Sequence, residues 1–324
     1  MGGDFAPHAV VQGALDAIEK ASNALTLILV GDETAIRHEL AGRESEALEI
    51  VHTDEVVTME DKGSKVLKTK PNSSLVRGIR LVKEGNTEGF ISAGHTGAIM
   101  STSLLTLGRI PGVRRPALAA YFPTERRGKV LCDVGANPDA KPEHLVQFAL
   151  MASHYYDHVE GFAAPKIGLI NIGTEPSKGS ELYVETYKLL SEMPNFVGNI
   201  EGRHLLTSEA DVLICDGFVG NTLLKFAESW ITFFADEIKD KINEKLSYKI
   251  GAGLMKPIFD DLKAKYDYEE HGGTPLLGVN GISIVCHGSS GPKSIMNSIF
   301  LGQKCIENNL IEDTQKSLAI HFGH

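Results

Sequence analysis

The chain is short of several residue types and patterns, and each shortage narrows what it can be. Among 324 residues there are four cysteines and one tryptophan, and aromatics make up 7%. Cys132, Cys215, Cys286 and Cys305 are scattered, with no Cys-x-x-Cys pair and no metal-ligand spacing. A disulfide framework is excluded, and a reduced, cytosolic setting is expected. Cys132, Cys215 and Cys286 end apolar runs, the place of small buried hydrophobes. No apolar stretch reaches the roughly 18 residues of a membrane span, and no signal-peptide pattern opens the chain. Positive charge is scarce too: 32 Lys and Arg against 42 Asp and Glu give a formal net charge of −10. A general nucleic-acid binder needs a basic face, so that class is set aside.

Familiar catalytic signatures are also missing. No G-x-G-x-x-G follows an apolar run, so the dinucleotide fingerprint is absent. There is no Walker A sequence, and no G-x-S-x-G elbow of a serine hydrolase. His321 and His324 lie near the end of the chain and read equally as tag or tail and as ligands.

What the chain does have is a recurring phrase: an apolar run, then a Gly-rich polar turn, then a helical pattern. It occurs at residues 89–97, 130–137, 166–179, 212–221 and 282–291. With 42% apolar residues, the runs suit buried strands of a parallel sheet. Strands are expected at 25–30, 48–52, 89–92, 117–122, 130–133, 166–171, 211–215 and 282–287. Helical patterns between most of them, at 34–40, 73–83, 98–107, 143–157 and 180–192, predict a three-layer αβα fold. Its sheet should be largely parallel and Rossmann-like, in a single domain over 1–324. Ligand sites in such folds sit past the carboxyl ends of strands, where backbone N–H groups and helix starts favour anions.

The turns nominate Gly94, His95, Thr96, Gly97, Asn137, Glu175, Gly179, Asp216, Gly217, Gly220, Ser289 and Ser290 as holders of a phosphate or acyl phosphate. Lys178 adds a full positive charge to the richest turn, Asn171 to Gly179. His95 and His287 read as hydrogen-bonding loop residues rather than metal ligands. An anion site without an obvious side-chain nucleophile suits a reaction in which the anion itself attacks, such as phosphate on a thioester.

Two further regions stand out. Arg109, Arg114, Arg115, Arg126, Arg127 and Lys129 cluster in an otherwise acidic chain. They read either as a solvated loop or as a docking patch for an anion or acidic protein. Residues 221–268 break the βα rhythm and predict a protruding helical hairpin, with a break near Gly251-Ala252-Gly253. Leu246, Ile250, Leu254, Met255, Ile258 and Phe259 alternate with Lys245, Lys249 and Lys256. That mixture fits a dimer-forming hairpin, a membrane-surface contact, or both. Met1-Gly2-Gly3-Asp4 has the look of a turn after a strand, which creates the expectation of a further strand before it.

Over its whole length the chain resembles the bacterial phosphate acyltransferases of phospholipid synthesis. The resemblance rests on Met1-Gly2-Gly3-Asp4 with Ala6-Pro7, residues 92–98, Arg109-Ile110-Pro111-Gly112, Arg115-Pro116-Ala117 and residues 133–137 and 171–179. It continues through Asn195-Phe196, Gly198-Asn199, Glu201-Gly202 and residues 216–221 and 287–290, all in order. It implies conversion of fatty acyl-acyl carrier protein and inorganic phosphate to acyl phosphate and free carrier, as a homodimer without metal or nucleotide cofactor. It further implies peripheral attachment to the inner face of the cell membrane, where a glycerol-3-phosphate acyltransferase takes the product. Lys178 and Asn221 occupy the family's proposed catalytic positions, and Arg109, Arg126, Arg127 and Lys129 become candidates for carrier docking. His95 stands where the family commonly has Asn. A phosphotransacetylase-like enzyme using coenzyme A and a non-catalytic membrane scaffold are the competing readings.

Overall fold

The computed structural model describes residues 1–21, 25–124, 128–266 and 268–322. Arg126, Arg127 and His324 lie outside them. In chain order the elements are α1 (His8–Lys20), β1 (Leu27–Gly31), α2 (Glu33–Leu40), β2 (Leu48–His52), α3 (Val66–Thr69), α4 (Ser74–Lys83) and β3 (Gly89–Ser92). Then come α5 (Thr96–Leu107), β4 (Ala117–Phe122), β5 (Lys129–Cys132), α6 (Pro142–Glu160), β6 (Ile167–Asn171), α7 (Glu181–Leu190), β7 (Phe196–Glu201) and β8 (Val212–Ile214). The chain closes with α8 (Gly217–Glu244), α9 (Leu246–Tyr266), β9 (Thr274–Leu277), β10 (Ile282–Val285), α10 (Pro292–Glu307) and α11 (Leu310–Phe322).

Eight strands form one sheet in the order β3-β10-β9-β4-β5-β8-β6-β7. Its strands alternate between two apolar cores, as a sheet covered on both faces requires. Ala117, Ala119, Val130, Cys132, Ile167, Leu169, Val212 and Ile214 face one core, with α6, α10 and α11. Their neighbours Leu118, Ala120, Leu131, Ile170 and Leu213 face the other, with α4 and α5. The αβα layering expected from the sequence is therefore present.

The sheet is parallel within two blocks that run in opposite directions. β3 and β10 are parallel, as are β5, β8, β6 and β7. Between the blocks β10-β9, β9-β4 and β4-β5 are antiparallel. The carboxyl ends of β3 and β10 thus lie on one rim of the sheet and those of β5, β6 and β8 on the other. β1 and β2 form a separate parallel pair. A cavity of about 750 Å³, lined by β1 on one side and by Phe90, Ile91, Ser92 and Ala93 on the other, lies between that pair and β3.

The hairpin is present as α8 and α9, but it breaks at Lys245, whose extended backbone (φ −140°, ψ 143°) ends α8. Gly251-Ala252-Gly253 lies inside α9, correcting the expected break. A helical glycine costs only about 1 kcal/mol relative to alanine, which a continuous helix tolerates. No helix among the described residues is long and apolar enough to cross a membrane.

Candidate active site on the β5-β8-β6 rim

Three strands that run side by side deliver three turns to one rim. The first follows β5. Asp133 is fully buried, and its carboxylate accepts from the backbone N–H groups of Leu118 (3.0 Å), Ala136 (3.1 Å) and Asn137 (2.7 Å) and from Asn137 Nδ2 (2.9 Å). Burial raises its pKa against the pull of these donors. Asn137 also donates through Nδ2 to the Pro116 carbonyl (2.7 Å). One acid thus ties the turn to the start of β4.

The second turn follows β8. Asp216 is 7% exposed and caps α8, with Oδ1 accepting from Phe218 and Val219 N–H (both 2.9 Å). Gly217 N–H donates to the Asn137 carbonyl (2.9 Å) and Gly220 N–H to the Asp216 carbonyl (3.0 Å). All four leading N–H groups of α8 are therefore occupied, and this helix start has none left for an anion. A Cβ on Gly220 would sit 1.9 Å from the Asp133 carbonyl oxygen, and one on Gly217 2.8 Å from Asn137 N. These glycines let the helix seat against the first turn. Asp216, Gly217, Gly220 and Asn137, four of the residues nominated for phosphate, thereby have their polar groups partnered within the protein and hold the two turns together. Asn221, the next residue along, is exposed, with its amide beside Gly135.

The third turn follows β6. Asn171 Nδ2 donates to the Lys178 carbonyl (2.9 Å) and Asn199 Nδ2 to the Glu175 carbonyl (2.9 Å). Lys178 N–H returns to the Glu175 carbonyl (3.1 Å). Glu175 serves the turn through its backbone. Gly179 has φ +95°, and a Cβ there would meet Asn171 Oδ1 at 2.5 Å, so only glycine closes the loop. Gly173 is the floor over which the Lys178 stem runs, because a Cβ there would lie 2.9 Å from Lys178 Cγ. Lys178 is exposed, and among the described residues its ammonium has no ion-pair or hydrogen-bond partner. Ser180 makes no side-chain cap on α7. In α7 the Tyr183 and Val184 N–H groups donate to the Ser180 carbonyl (2.9 and 3.0 Å), whereas those of Glu181 and Leu182, three and four residues after Lys178, have no partner among the described residues.

The other Gly-rich turns lie on the opposite rim. His95 caps α5 by accepting from Ala98 N–H at Nδ1 (3.3 Å), a loop role as expected. Thr96 and Gly97 begin that helix, and Gly94 packs on Gly2. His287 Nδ1 and Ser289 Oγ are 2.6 Å apart, while Ser290 is buried with Ser294 (3.1 Å). The structure thus divides the twelve nominated turn residues between two rims.

Lys129 is a correction. It opens β5, 5% exposed, with its ammonium donating to the Ser208 carbonyl (2.7 Å) and the Ala210 carbonyl. Burial lowers its pKa, and it offers nothing to a partner. Arg109 is exposed, and its guanidinium donates to the Arg114 carbonyl (2.6 Å), organising the loop that runs to Pro116 beside the rim. On the arm, Leu246, Ile250, Leu254, Met255 and Ile258 are exposed and Phe259 is half-buried. Phe226, Trp230, Phe233 and Phe234 form an exposed aromatic cluster on α8. The four cysteines are buried, and burial pushes every thiol up, Cys286 to about 11 and Cys305 to about 12. Among the described residues no His, Cys, Asp and Glu group has the arrangement of a metal site.

The sequence reading passes over Tyr183, and it names Asn171 and Asn199 within their motifs without giving either a role. Tyr183 carries no local sign of its role, because its partner is 33 residues away. Asn171 and Asn199 sit at polar breaks in apolar strands, a signal that could have marked them.

This architecture is a phosphotransacetylase-like α/β fold. It is similar to a phosphotransacetylase from Streptococcus pyogenes (TM-score 0.58, 17% identity, covering 93% of this chain and 92% of that one). It is also similar to a branched-chain phosphotransacylase from Enterococcus faecalis (TM-score 0.60, 14% identity, 94% and 96% covered). Sequence narrows the class further. Residues 1–313 match the family described as fatty acid synthesis protein. The phosphate acyltransferase of Desulfitobacterium hafniense is 47% identical over 98% of this chain and 96% of its own length. That of Moorella thermoacetica is 46% identical over 96% and 92%. The chain belongs to this family of phosphate acyltransferases, enzymes of lipid synthesis that act on acyl groups and phosphate.

Proposed function

We propose that the enzyme moves a fatty acyl group from the thioester of acyl carrier protein to inorganic phosphate, releasing acyl phosphate and the carrier thiol. One observation carries this reading. On a rim where Asp133, Asn137, Asn171, Asn199 and Asp216 are committed to neighbouring groups, the exposed Lys178 and Asn221 side chains have no hydrogen-bond or ion-pair partner among the described residues. Phosphate sits at the open start of α7, its charge met by the Lys178 ammonium. A phosphate oxygen attacks the thioester carbon, forming the C–O bond, and the carbonyl oxygen becomes an oxyanion to which the Asn221 amide donates. Collapse breaks the C–S bond, and the departing thiolate takes a proton from solvent. Phosphate is already anionic near neutral pH, so the scheme needs neither a protein nucleophile nor a general base. Gly94, His95, Thr96, Gly97, Ser289 and Ser290 form a second group on the other rim, a candidate for the acyl phosphate.

Arg109, Arg114 and Arg115 lie on the loop anchored by Asn137, beside the site. They suit an acidic carrier, with Arg126 and Arg127 further along the same basic stretch. The aromatic cluster of α8 suits a second copy of this chain, since apolar surface of this extent is rarely left in water. Leu246, Ile250, Leu254 and Ile258 recur at helical spacing with Lys249 and Lys256 between, which suits an anionic membrane surface such as the inner face of the cell membrane.

The test is a thioester assay. Loss of palmitoyl-carrier thioester that depends on added phosphate supports the proposal. Release of coenzyme A from acetyl coenzyme A, with the carrier thioester untouched, would transfer it to the short-chain reading that the fold neighbours suggest.

A further inference from the structure

We propose that Tyr183 is a positioning residue that fixes the spacing between Lys178 and Asn221 through its hydroxyl bond to Asp216. The inference rests on the site reading above.

The two free groups sit on separate elements. Lys178 belongs to the turn before α7, and Asn221 opens the second turn of α8. Nothing in their own turns holds one against the other. Each turn is rigid by itself, through Asn171 and Asn199 for one and Asp133 and Asn137 for the other. Among the described residues one pair, Tyr183 and Asp216, makes the hydrogen bonds that run between them. Tyr183 Oη donates to Asp216 Oδ2 at 2.7 Å, and Asp216 N–H approaches the same phenol oxygen at 3.4 Å.

Both ends of this bond are anchored close to the reacting groups. At one end, Asp216 uses its other oxygen to cap the helix that carries Asn221. The carboxylate is thus split, one oxygen for α8 and one for α7. At the other end, the Tyr183 Cβ lies 3.0 Å from where a Gly179 Cβ would be. The Tyr183 side chain therefore starts directly against the residue that follows Lys178. Tyr183 is 9% exposed, and burial together with the Asp216 carboxylate holds its phenol well above the ordinary range. It stays protonated, and a donor, at any pH at which the enzyme works.

In-line attack requires the phosphate held by one turn and the thioester oxygen held by the other to keep a fixed separation. A misplacement of about 1 Å can cost a factor on the order of 100 in rate. The Tyr183–Asp216 bond is the brace that sets this separation.

Tyr183→Phe removes the hydroxyl and keeps the ring. The expected result is a kcat lower by about 10- to 100-fold, with KM for phosphate and for carrier within about twofold of wild type. In an Asn221→Ala background, where the gap no longer serves the oxyanion, the same change should cost less than about threefold. A kcat within about twofold of wild type, a change only in melting temperature, or a loss that multiplies fully with that of Asn221→Ala would overturn the proposal. If Tyr183→Phe does not fold, Asp216→Ser replaces it. Its hydroxyl is a good cap for α8 and it has no second oxygen to reach Tyr183, so the same kcat loss is expected. Lys178→Ala separates the two readings. If it is inactive while Tyr183→Phe is normal, the brace fails and the site stands. If it is active, the site fails and the brace with it.

Discussion

The β5-β8-β6 rim and the α8–α9 arm treat their side chains in opposite ways. On the rim, Asp133, Asn137 and Asp216 are buried and partnered: Asp133 takes four donors and Asp216 three, two of them in its cap on α8. On the arm, large apolar residues face outward, with Trp230 51% and Leu254 81% exposed. α8 belongs to both regions, since its first turn is locked into the rim while most of its length stands in solvent. A network of buried, satisfied polar groups specifies one geometry, which is what a reaction at fixed separation needs. A helix pair with uncovered apolar faces is complete only against another surface. The rim is thus built to hold still and the arm to be covered.

The comparison is broken most severely by making the arm polar. Leu254→Glu with Ile258→Glu removes two apolar contacts, each worth about 1.5–3 kcal/mol when buried. Cosedimentation with anionic vesicles should be lost, while turnover of soluble carrier substrate persists. A double variant that still sediments, or a wild type that never does, removes the membrane role from the arm. The rim should respond in the opposite sense, through stability. Gly220→Ala places a methyl against the Asp133 carbonyl, and overpacking of this kind costs about 1–3 kcal/mol. A lower urea midpoint together with lost activity is expected, and an unchanged midpoint would show that the first turn of α8 is not seated as tightly as described.

Smaller effects sharpen the boundary between the regions. Arg114→Glu with Arg115→Glu should raise the carrier KM in a manner that fades with salt, leaving the phosphate KM alone, because exposed charges act mainly on association. An unchanged carrier KM places docking elsewhere. Smallest of all is the response of the cysteines. With every thiol buried and pushed up, iodoacetamide at pH 8 should leave the folded enzyme active and unlabelled. Rapid labelling with loss of activity would bring a thiol back into the chemistry.

Much of the layered fold could be read from the chain, because buried strands are apolar runs and most ended where expected. β7 and β9 escaped notice for physical reasons. β7 is a sheet-edge strand interrupted by Gly198 and Asn199, and β9 is four residues long with Pro275 inside it. The reversal of direction across β9 and β4 depends on pairings between distant segments, which no local pattern records. That reversal is why one list of turn residues separates onto two rims. Lys129 misled for a related reason: its charge is visible in sequence, whereas the carbonyls of Ser208 and Ala210 that consume it are not. Lys178 and Asn221 were legible as polar residues in strand-end turns. Tyr183 was not, since its role exists only once α7 and α8 lie side by side.

The central claim is that Lys178 holds the attacking phosphate on this rim, and single-turnover kinetics with palmitoyl-carrier thioester and phosphate test it most directly. Loss of one such stabilising group costs about 2.7–4 kcal/mol of barrier. A folded Lys178→Ala enzyme should therefore cleave the thioester about 100- to 1,000-fold more slowly at saturating carrier, with an unchanged circular dichroism spectrum and melting temperature. A folded Lys178→Ala enzyme that turns over within a fewfold of wild type would contradict the account and move the chemistry off this rim.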